Sequence, residues 1–231
     1  MAQTKSARPR GATGLLLLAI VATGAGPGEW AWKAELEMST SNFTASDGSV
    51  AFTRLVYDVY QSRAGIVRLE LKSAQPPLGK VTGIGRDVHI IDFAQGTVVA
   101  FDKDKPTALR YTTLEGLAKD PLAGPHERLG PLTILGQRCQ GAASRSESHG
   151  LTELRESWTA TEAGFRYPVL DIARTIVEPE AARKLGVPEG LLSLTVRTIS
   201  RLEKVKDLDE RLFQVPGGYA VVDVASPSRE R

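Results

Sequence analysis

Cysteine is nearly absent from this chain of 231 residues, which contains a single one, Cys139. One thiol cannot form an internal disulfide, so a disulfide framework is excluded as the source of stability. Zinc sites use three or four protein ligands, and histidine is too rare here to supply them beside one cysteine. The three histidines, His89, His126 and His149, share no i, i+4 spacing with one another or with Cys139. The sequence therefore predicts neither a metal site nor a bound cofactor.

Motifs of catalysis and nucleotide binding are also missing. The glycines between residues 79 and 85, with Lys80, follow neither the P-loop order nor the GxGxxG spacing. No Gly-x-Ser-x-Gly elbow occurs, and the pair Asp102 and Asp104 supplies fewer oxygens than calcium requires. Because no nucleophile, base and orienting group can be named together, we expect a protein that is not an enzyme.

Two polar residues, Arg138 and Gln140, flank the lone cysteine in the stretch "ILGQRCQG". Alternate side chains of a strand point to opposite faces, so these neighbours predict that Cys139 points inward. A free cysteine often behaves as a small buried hydrophobe, and no local feature marks an activated thiolate. We interpret Cys139 as a core strand residue. Catalysis by a Cys–His pair is the weaker alternative, since such partners need only meet in space.

The first 25 residues have the pattern of a secretory signal peptide. Lys5, Arg8 and Arg10 precede an apolar run at 15–21, and small residues follow as far as Ala25. The run falls short of the roughly 20 apolar residues that span a bilayer. We expect export, cleavage near Ala25, no membrane span in the mature chain, and a periplasmic or secreted location.

A strong charge of either sign is lacking. The net charge is +2, and the first 25 residues carry three positive and no negative side chains, so the mature chain is near −1. Positive and negative residues are interspersed, as on an ordinary solvated surface. No basic stripe with interleaved aromatic residues occurs, and no nucleic-acid partner is predicted.

Alternation of apolar and charged residues with a period of two is the clearest pattern of the remaining chain. It occurs at 33–38, 53–59 and 67–72, and it predicts strands with one packed and one wet face. Strands at 88–93 and 97–101 flank a turn at Gly96, and a last long strand places Leu192, Leu194 and Val196 on one face. Short connections between these runs favour antiparallel hairpins.

Helix signals are few and short. A capping box of Thr112 with Glu115, a segment at 179–186 and a single turn at 207–210 are the candidates. We predict a mainly β (α+β) fold, a single curved antiparallel sheet or half-barrel with a few short helices over its apolar face. The predicted domains are a signal peptide (1–25), one β-rich domain (26–225) and a polar tail (226–231).

Three short motifs follow one another in the second half of the chain. They are "ILGQRCQG" with Gly136 and Cys139, "ELRESWTA" with Glu156 and Trp158, and "LFQVPGGYAVVD" with Phe213, Pro216, Gly218 and Tyr219. Their order resembles an exported bacterial family of unknown function, with a likeness of layout over roughly residues 50 to 223. That family is similar in architecture to the periplasmic lipoprotein-carrier superfamily. The resemblance implies a curved antiparallel half-barrel with helices as a lid and an envelope location, and it assigns no catalytic residue.

Two hypotheses of function remain. A concave apolar sheet face can hold a lipid, an acyl chain or another apolar ligand, so the first hypothesis is a non-enzymatic binding protein of the cell envelope. Its candidate lining residues, for which plain core packing is the alternative, are Leu55, Tyr57, Val59, Val67, Leu69, Leu71 and Trp158. The second hypothesis is a structural or interaction protein that meets another envelope protein through a sheet edge or surface patch.

Overall fold

A computed structural model describes five stretches of the chain: 29–43, 49–76, 86–112, 126–160 and 163–224. The expected signal peptide, the expected helix after Thr112 and the polar tail lie outside the described residues. The described strands are β1 (Ala31–Asn42), β2 (Ala51–Gln61), β3 (Val67–Gln75), β4 (Val88–Asp92), β5 (Thr97–Phe101), β6 (Thr107–Thr112), β7 (His126–Ile134), β8 (Gln137–Ser148), β9 (Leu151–Thr159), β10 (Pro168–Val177), β11 (Gly190–Val205) and β12 (Ala220–Val224). One α-helix, α1 (Pro179–Leu185), and a 3-10 helix (Glu210–Phe213) complete the elements of these stretches.

These strands form one sheet in the order β12-β6-β5-β4-β3-β2-β1-β11-β10-β9-β8-β7. Neighbours are antiparallel except β12 and β6, which are parallel. The strands from β1 to β6 run outward from the centre, whereas those from β7 to β11 return from the other edge. The two runs meet where β1 pairs with β11, from Ala31 opposite Val205 to Asn42 opposite Ser193. The sheet is curved and open, which confirms the predicted fold class.

Alternation along the strands divides the side chains between two faces of the sheet. We define the core face as the face of the sheet that carries a row of directly paired residues. The row consists of Ser157, Asp171, Arg197, Met38 and Leu55. The opposite side is called the second face. The main apolar core includes the fully buried side chains of Trp32, Leu36, Leu55, Val59, Val67, Phe165, Tyr167, Val169 and Ile199.

The predicted last long strand is confirmed as β11, but it buries a different set of residues from its leucines. Leu194 and Val196 point to the second face and stay partly exposed, and Leu192 packs near α1. The side chains that β11 buries on the core face are Thr195, Arg197 and Ile199. Arg197 can occupy this buried position because it forms an ion pair with Asp171 on the adjacent strand.

A smaller core lies on the second face, at the β4 to β6 end of the sheet. It contains the buried side chains of Val88, Ile90, Phe101 and Ala108, with Val215 and Tyr219 packed against them. The Tyr219 ring meets the Phe101 ring edge-on at 5.2 Å, and its hydroxyl donates to the carbonyls of Asp102 and Lys103. The chain after β11 thus closes a second apolar layer.

The final strand, β12, forms one edge of the sheet and pairs with β6 from Ala220 opposite Thr107 to Val224 opposite Tyr111. Gly218, at φ 89°, forms the sharp turn that brings the chain to this edge. Val221 and Val222 remain exposed. The pairing is parallel because the chain enters β12 from the same end of the sheet as β6.

The predicted helix at 179–186 is confirmed as α1. Pro179 stands at the start of α1, Arg183 and Lys184 lie in its last turn, and Gly186 ends it in the left-handed conformation at φ 67°. Ala181 and Ala182 pack against one end of β9, β10 and β11. The helix therefore covers only the rim of the sheet. No helix within the described ranges is long and apolar enough to cross a membrane.

The inward orientation expected for Cys139 is confirmed. Its side chain is fully buried in β8, whereas Arg138 and Gln140 are exposed. Burial raises the pKa of the thiol above its usual value, which keeps the sulfur protonated at neutral pH.

Gly141 on β8 is a position where a side chain would not fit. A Cβ atom there would lie 2.4 Å from Nε1 of Trp158 and 2.9 Å from Cβ of Leu129. We expect Gly141→Ala to lower the free energy of unfolding by about 1 to 3 kcal/mol, because overpacking shifts the neighbours. The matched control is Gly130→Ala on β7, where a Cβ would have no neighbour within 4 Å. Denaturant unfolding of both variants is the measurement, and equal midpoints would contradict the close approach of Trp158 to Gly141.

Tyr219 gives a test of the second core. We expect Tyr219→Ala to destabilise the protein by about 2 kcal/mol or more, since an aromatic pair and hydrogen bonds are lost together. Val222→Ala, at an exposed position of β12, should stay within about 0.5 kcal/mol of the wild type. Thermal melting of the two variants would show a loose C-terminal segment if both melted like the parent protein.

Candidate functional site

Six of the seven candidate lining residues lie side by side on the core face. Tyr57 is paired with Leu71, Val59 with Leu69, and Val67 follows beside Gln61 at the hairpin end. Leu55, Val59 and Val67 have no exposed surface, and Leu71 is partly exposed. We call the patch formed by Leu55, Tyr57, Val59, Val67, Leu69 and Leu71 the apolar surface.

The connection between β9 and β10 lies across one end of the apolar surface. The Gln61 side chain holds it twice, because its Nε2 donates to the Gly164 carbonyl at 2.8 Å and its Oε1 accepts from the Arg166 amide at 2.8 Å. The Phe165 ring packs against Trp32, with centroids 5.8 Å apart. We call residues 163–167 the covering loop. A single glutamine side chain thus fixes the backbone of this loop at two points.

Trp158, the seventh candidate, does not join the other six. It alternates with Ser157 on β9, so its indole leaves the sheet on the second face and donates from Nε1 to the Gly130 carbonyl at 3.3 Å. The ring packs against the margin of the main apolar core. It also belongs to a band of partly exposed apolar residues on β9, β10 and β11. The members of this band are Leu154, Trp158, Leu170, Ile172, Leu194 and Val196.

A buried polar cluster lies beside the apolar surface, and the sequence did not predict it. Asp171 on β10 accepts from Arg155 Nε at 2.6 Å and from Ser157 Oγ at 2.5 Å, both on β9. Its second carboxylate oxygen accepts from Arg197 on β11. The side chains of Asp171, Arg197 and Arg155 are 0%, 4% and 8% exposed, so this is a desolvated ion cluster.

The charges in this cluster decide its protonation. Burial would raise the pKa of Asp171, but the charges of Arg155 and Arg197 and the hydrogen bonds to the carboxylate outweigh burial and hold the pKa below its usual value. Two tyrosines lie within electrostatic range of Arg197. Burial raises the pKa of Tyr57 to about 12 and raises the pKa of Tyr167 as well, so both stay neutral hydroxyl donors.

The cluster contains more donors than acceptors. Nη2 of Arg155, Nε of Arg197 and the Tyr167 hydroxyl are buried and have no hydrogen-bond partner among the described residues. Two guanidinium groups and one carboxylate also leave a net charge of +1. A signal for the cluster exists in the sequence, since Asp171 in "VLDIA" and Arg197 in "TVRTI" interrupt apolar stretches of strands. That signal is weak because a charge in a strand usually faces water.

His89 on β4 shares the core face, directly opposite Leu69. Its Nδ1 atom is buried and has no partner within the described part of the chain. Desolvation lowers the pKa of His89 from 6.5 to about 4, with Asp102 opposing and Arg86 reinforcing the shift. His149 lies in the turn between β8 and β9 and His126 begins β7. In the described stretches, no three residues of metal-ligating type come together.

No protein-family model and no curated protein matches this chain. Among solved structures, it is similar to an uncharacterized conserved protein from Thermus thermophilus, with 12% identity, a TM-score of 0.42, and coverage of 85% of this chain and 91% of that one. It is similar to PNGF-II with 16% identity and a TM-score of 0.44, where 84% of this chain spans 31% of the other. A LolA superfamily protein from Nitrosomonas europaea gives 9% identity, a TM-score of 0.35, and coverage of 81% and 91%.

A LolA superfamily protein is thus among the structural neighbours. These likenesses concern the course of the strands. Site residues and function depend on the contacts of this chain alone.

The depressed pKa of His89 predicts a pH dependence of stability. The folded state keeps His89 neutral down to about pH 4, whereas the unfolded chain binds a proton near pH 6.5. The free energy of unfolding should therefore be highest above about pH 6.5 and fall by up to about 3 kcal/mol as the pH drops towards 4. In His89→Leu this part of the decline should be lost, while it should remain in His149→Asn. Denaturant unfolding at several pH values from 7 to 4 measures this decline. If the free energy of unfolding fell equally in the wild type and in His89→Leu, the burial of a neutral imidazole would be contradicted.

Proposed function

We propose that this chain is a non-enzymatic protein of the cell envelope that binds a lipid, an acyl chain or a similar apolar ligand on the core face of its sheet. One observation carries the proposal. Six adjacent side chains form a continuous apolar surface, and within the described ranges a loop, not a layer of helices, covers its hairpin end. Exchange of such a loop for a ligand replaces one apolar contact by another.

The way in which the covering loop is attached supports this exchange. Displacing the loop breaks the two hydrogen bonds to Gln61 and the contact between Phe165 and Trp32. The strands beneath stay paired, because residues 163–167 belong to no strand pair of the described sheet. Once the loop has left, an acyl chain that covered the apolar surface would regain roughly 25 cal/mol for each Å² of apolar area removed from water.

Export by a cleaved signal peptide completes the proposal. The pattern of the first 25 residues supports it. The mature chain would then be one exported domain, 26–225, in the periplasm or outside the cell.

Native mass spectrometry of the protein purified from its own envelope tests the function, together with extraction and analysis of bound lipid. We expect one lipid or acyl chain in near-stoichiometric amount. Gln61→Ala should speed the uptake and release of a fluorescent acyl probe, since it removes both hydrogen bonds to the covering loop. The control is Gln140→Ala at an exposed position of β8. A purified protein without lipid that also takes up no probe would refute the proposal.

A second function, binding of another envelope protein, is favoured by the band of apolar residues on the second face. This band is partly exposed on three adjacent strands, and a pair of Arg174 with Glu156 at 2.8 Å crosses it. A variant such as Ile172→Lys would abolish partner binding and leave uptake of the acyl probe unchanged if the second function were correct.

A further inference from the structure

The buried polar cluster has features that its role in folding does not explain. Arg155 and Arg197 both bind Asp171, and all three side chains are at least nine-tenths buried. One carboxylate neutralises only one of the two guanidinium groups. Asp171, Arg155 and Arg197 together therefore carry a net charge of +1. A buried unpaired charge is unfavourable, and folded proteins normally pair it.

The hydrogen-bonding atoms of the cluster that lack a partner among the described residues can all act as donors. Arg155 Nη2 and Arg197 Nε can only donate, and the Tyr167 hydroxyl can donate as well. A buried donor without an acceptor costs free energy. Water could accept these hydrogen bonds, but it would leave the positive charge in place. A negatively charged oxygen satisfies both requirements.

The position of the cluster indicates which class of ligand would bind there. Arg197 is paired with Met38, and Met38 is paired with Leu55, so the cluster lies two strands from the edge of the apolar surface. Tyr167 is the last residue of the covering loop and starts the chain into β10. Tyr57 belongs to the apolar surface and also lies within electrostatic range of Arg197. The core face therefore carries the apolar surface and, two strands away, a positively charged group of hydrogen-bond donors.

We propose that Arg155, Arg197 and Tyr167 bind the head group of an amphipathic ligand that carries a single negative charge on oxygen, either the carboxylate of a fatty acid or the phosphodiester of a phospholipid. The inference rests on the proposed function, since the acyl chain of the same ligand would lie on the apolar surface. The two guanidinium groups fix the charge of the head group, and the tyrosine hydroxyl adds a hydrogen bond that a neutral ester cannot accept with equal strength.

Tyr167→Phe is the decisive variant. It removes only a hydroxyl that has no partner in the described protein, so the ligand-free protein should keep its stability or gain some. We expect its affinity for palmitate to fall about tenfold, the effect of one hydrogen bond to a charged group. Its affinity for palmitic acid methyl ester, which carries no charge, should fall by a smaller factor. Tyr60→Phe, on the second-face side of β2, is the matched control and should bind both probes like the wild type.

Titration calorimetry on the full-length delipidated protein, with palmitate, the methyl ester and a short-chain phosphatidylglycerol, separates the outcomes. A loss in Tyr167→Phe for palmitate supports a fatty-acid head group, and a loss for phosphatidylglycerol alone supports a phosphodiester. Equal binding of acid and ester, unchanged in Tyr167→Phe, would overturn the head-group inference and leave the proposed function standing. Failure of the wild type to bind any of the three probes would overturn both.

Discussion

The pairing of β1 with β11 is the contact on which the rest of this structure depends. It joins the strands β1 to β6 to the strands β7 to β11, and within each set neighbours in the sheet are also neighbours in the chain. The pairing runs the whole length of β1. The row that leads from Ser157 through Asp171 and Arg197 to Leu55 crosses this junction. If the register of β1 against β11 slipped by one residue, Arg197 and its paired Asp171 would turn together to the face opposite Met38 and Leu55. The apolar surface and the polar cluster are thus parts of one face because one strand pair fixes the register.

Both faces of this sheet bury apolar residues, and this limits what the sequence can predict. Period-two alternation identifies β1, β2 and β3 and their inward side, since charged residues mark the other side of these strands. On β11 the apolar positions Leu194 and Val196 face outward, while Arg197 is buried. Alternation shows that two faces differ, but it does not show which face is covered. That depends on the loop at 163–167 and on the C-terminal segment, which reach the sheet from distant parts of the chain.

The candidate site divides in the same way. The apolar residues of β2 and β3 are predictable because hairpin neighbours in sequence are neighbours in space. Hydrophobicity alone groups Trp158 with them, and the paired register places it on the other face. The polar cluster needs the register of three strands, since Asp171 is separated from Arg155 by 16 positions and from Arg197 by 26. The burial of a charged side chain can be predicted only when its ion-pair partner is known.

The position of β11 in the chain also sets an order of events in folding. Ser200 on β11 bonds to Glu35 on β1 across 165 positions, so the centre of the sheet cannot form until most of the chain exists. The run from β1 to β6 is synthesised first and keeps one flank of β1 unpaired for all of that time. Sheets with such distant partners fold slowly, because a long loop must close before the contact stabilises it. The contact that completes the centre of the sheet therefore forms only after β11, at 190–205, has been made.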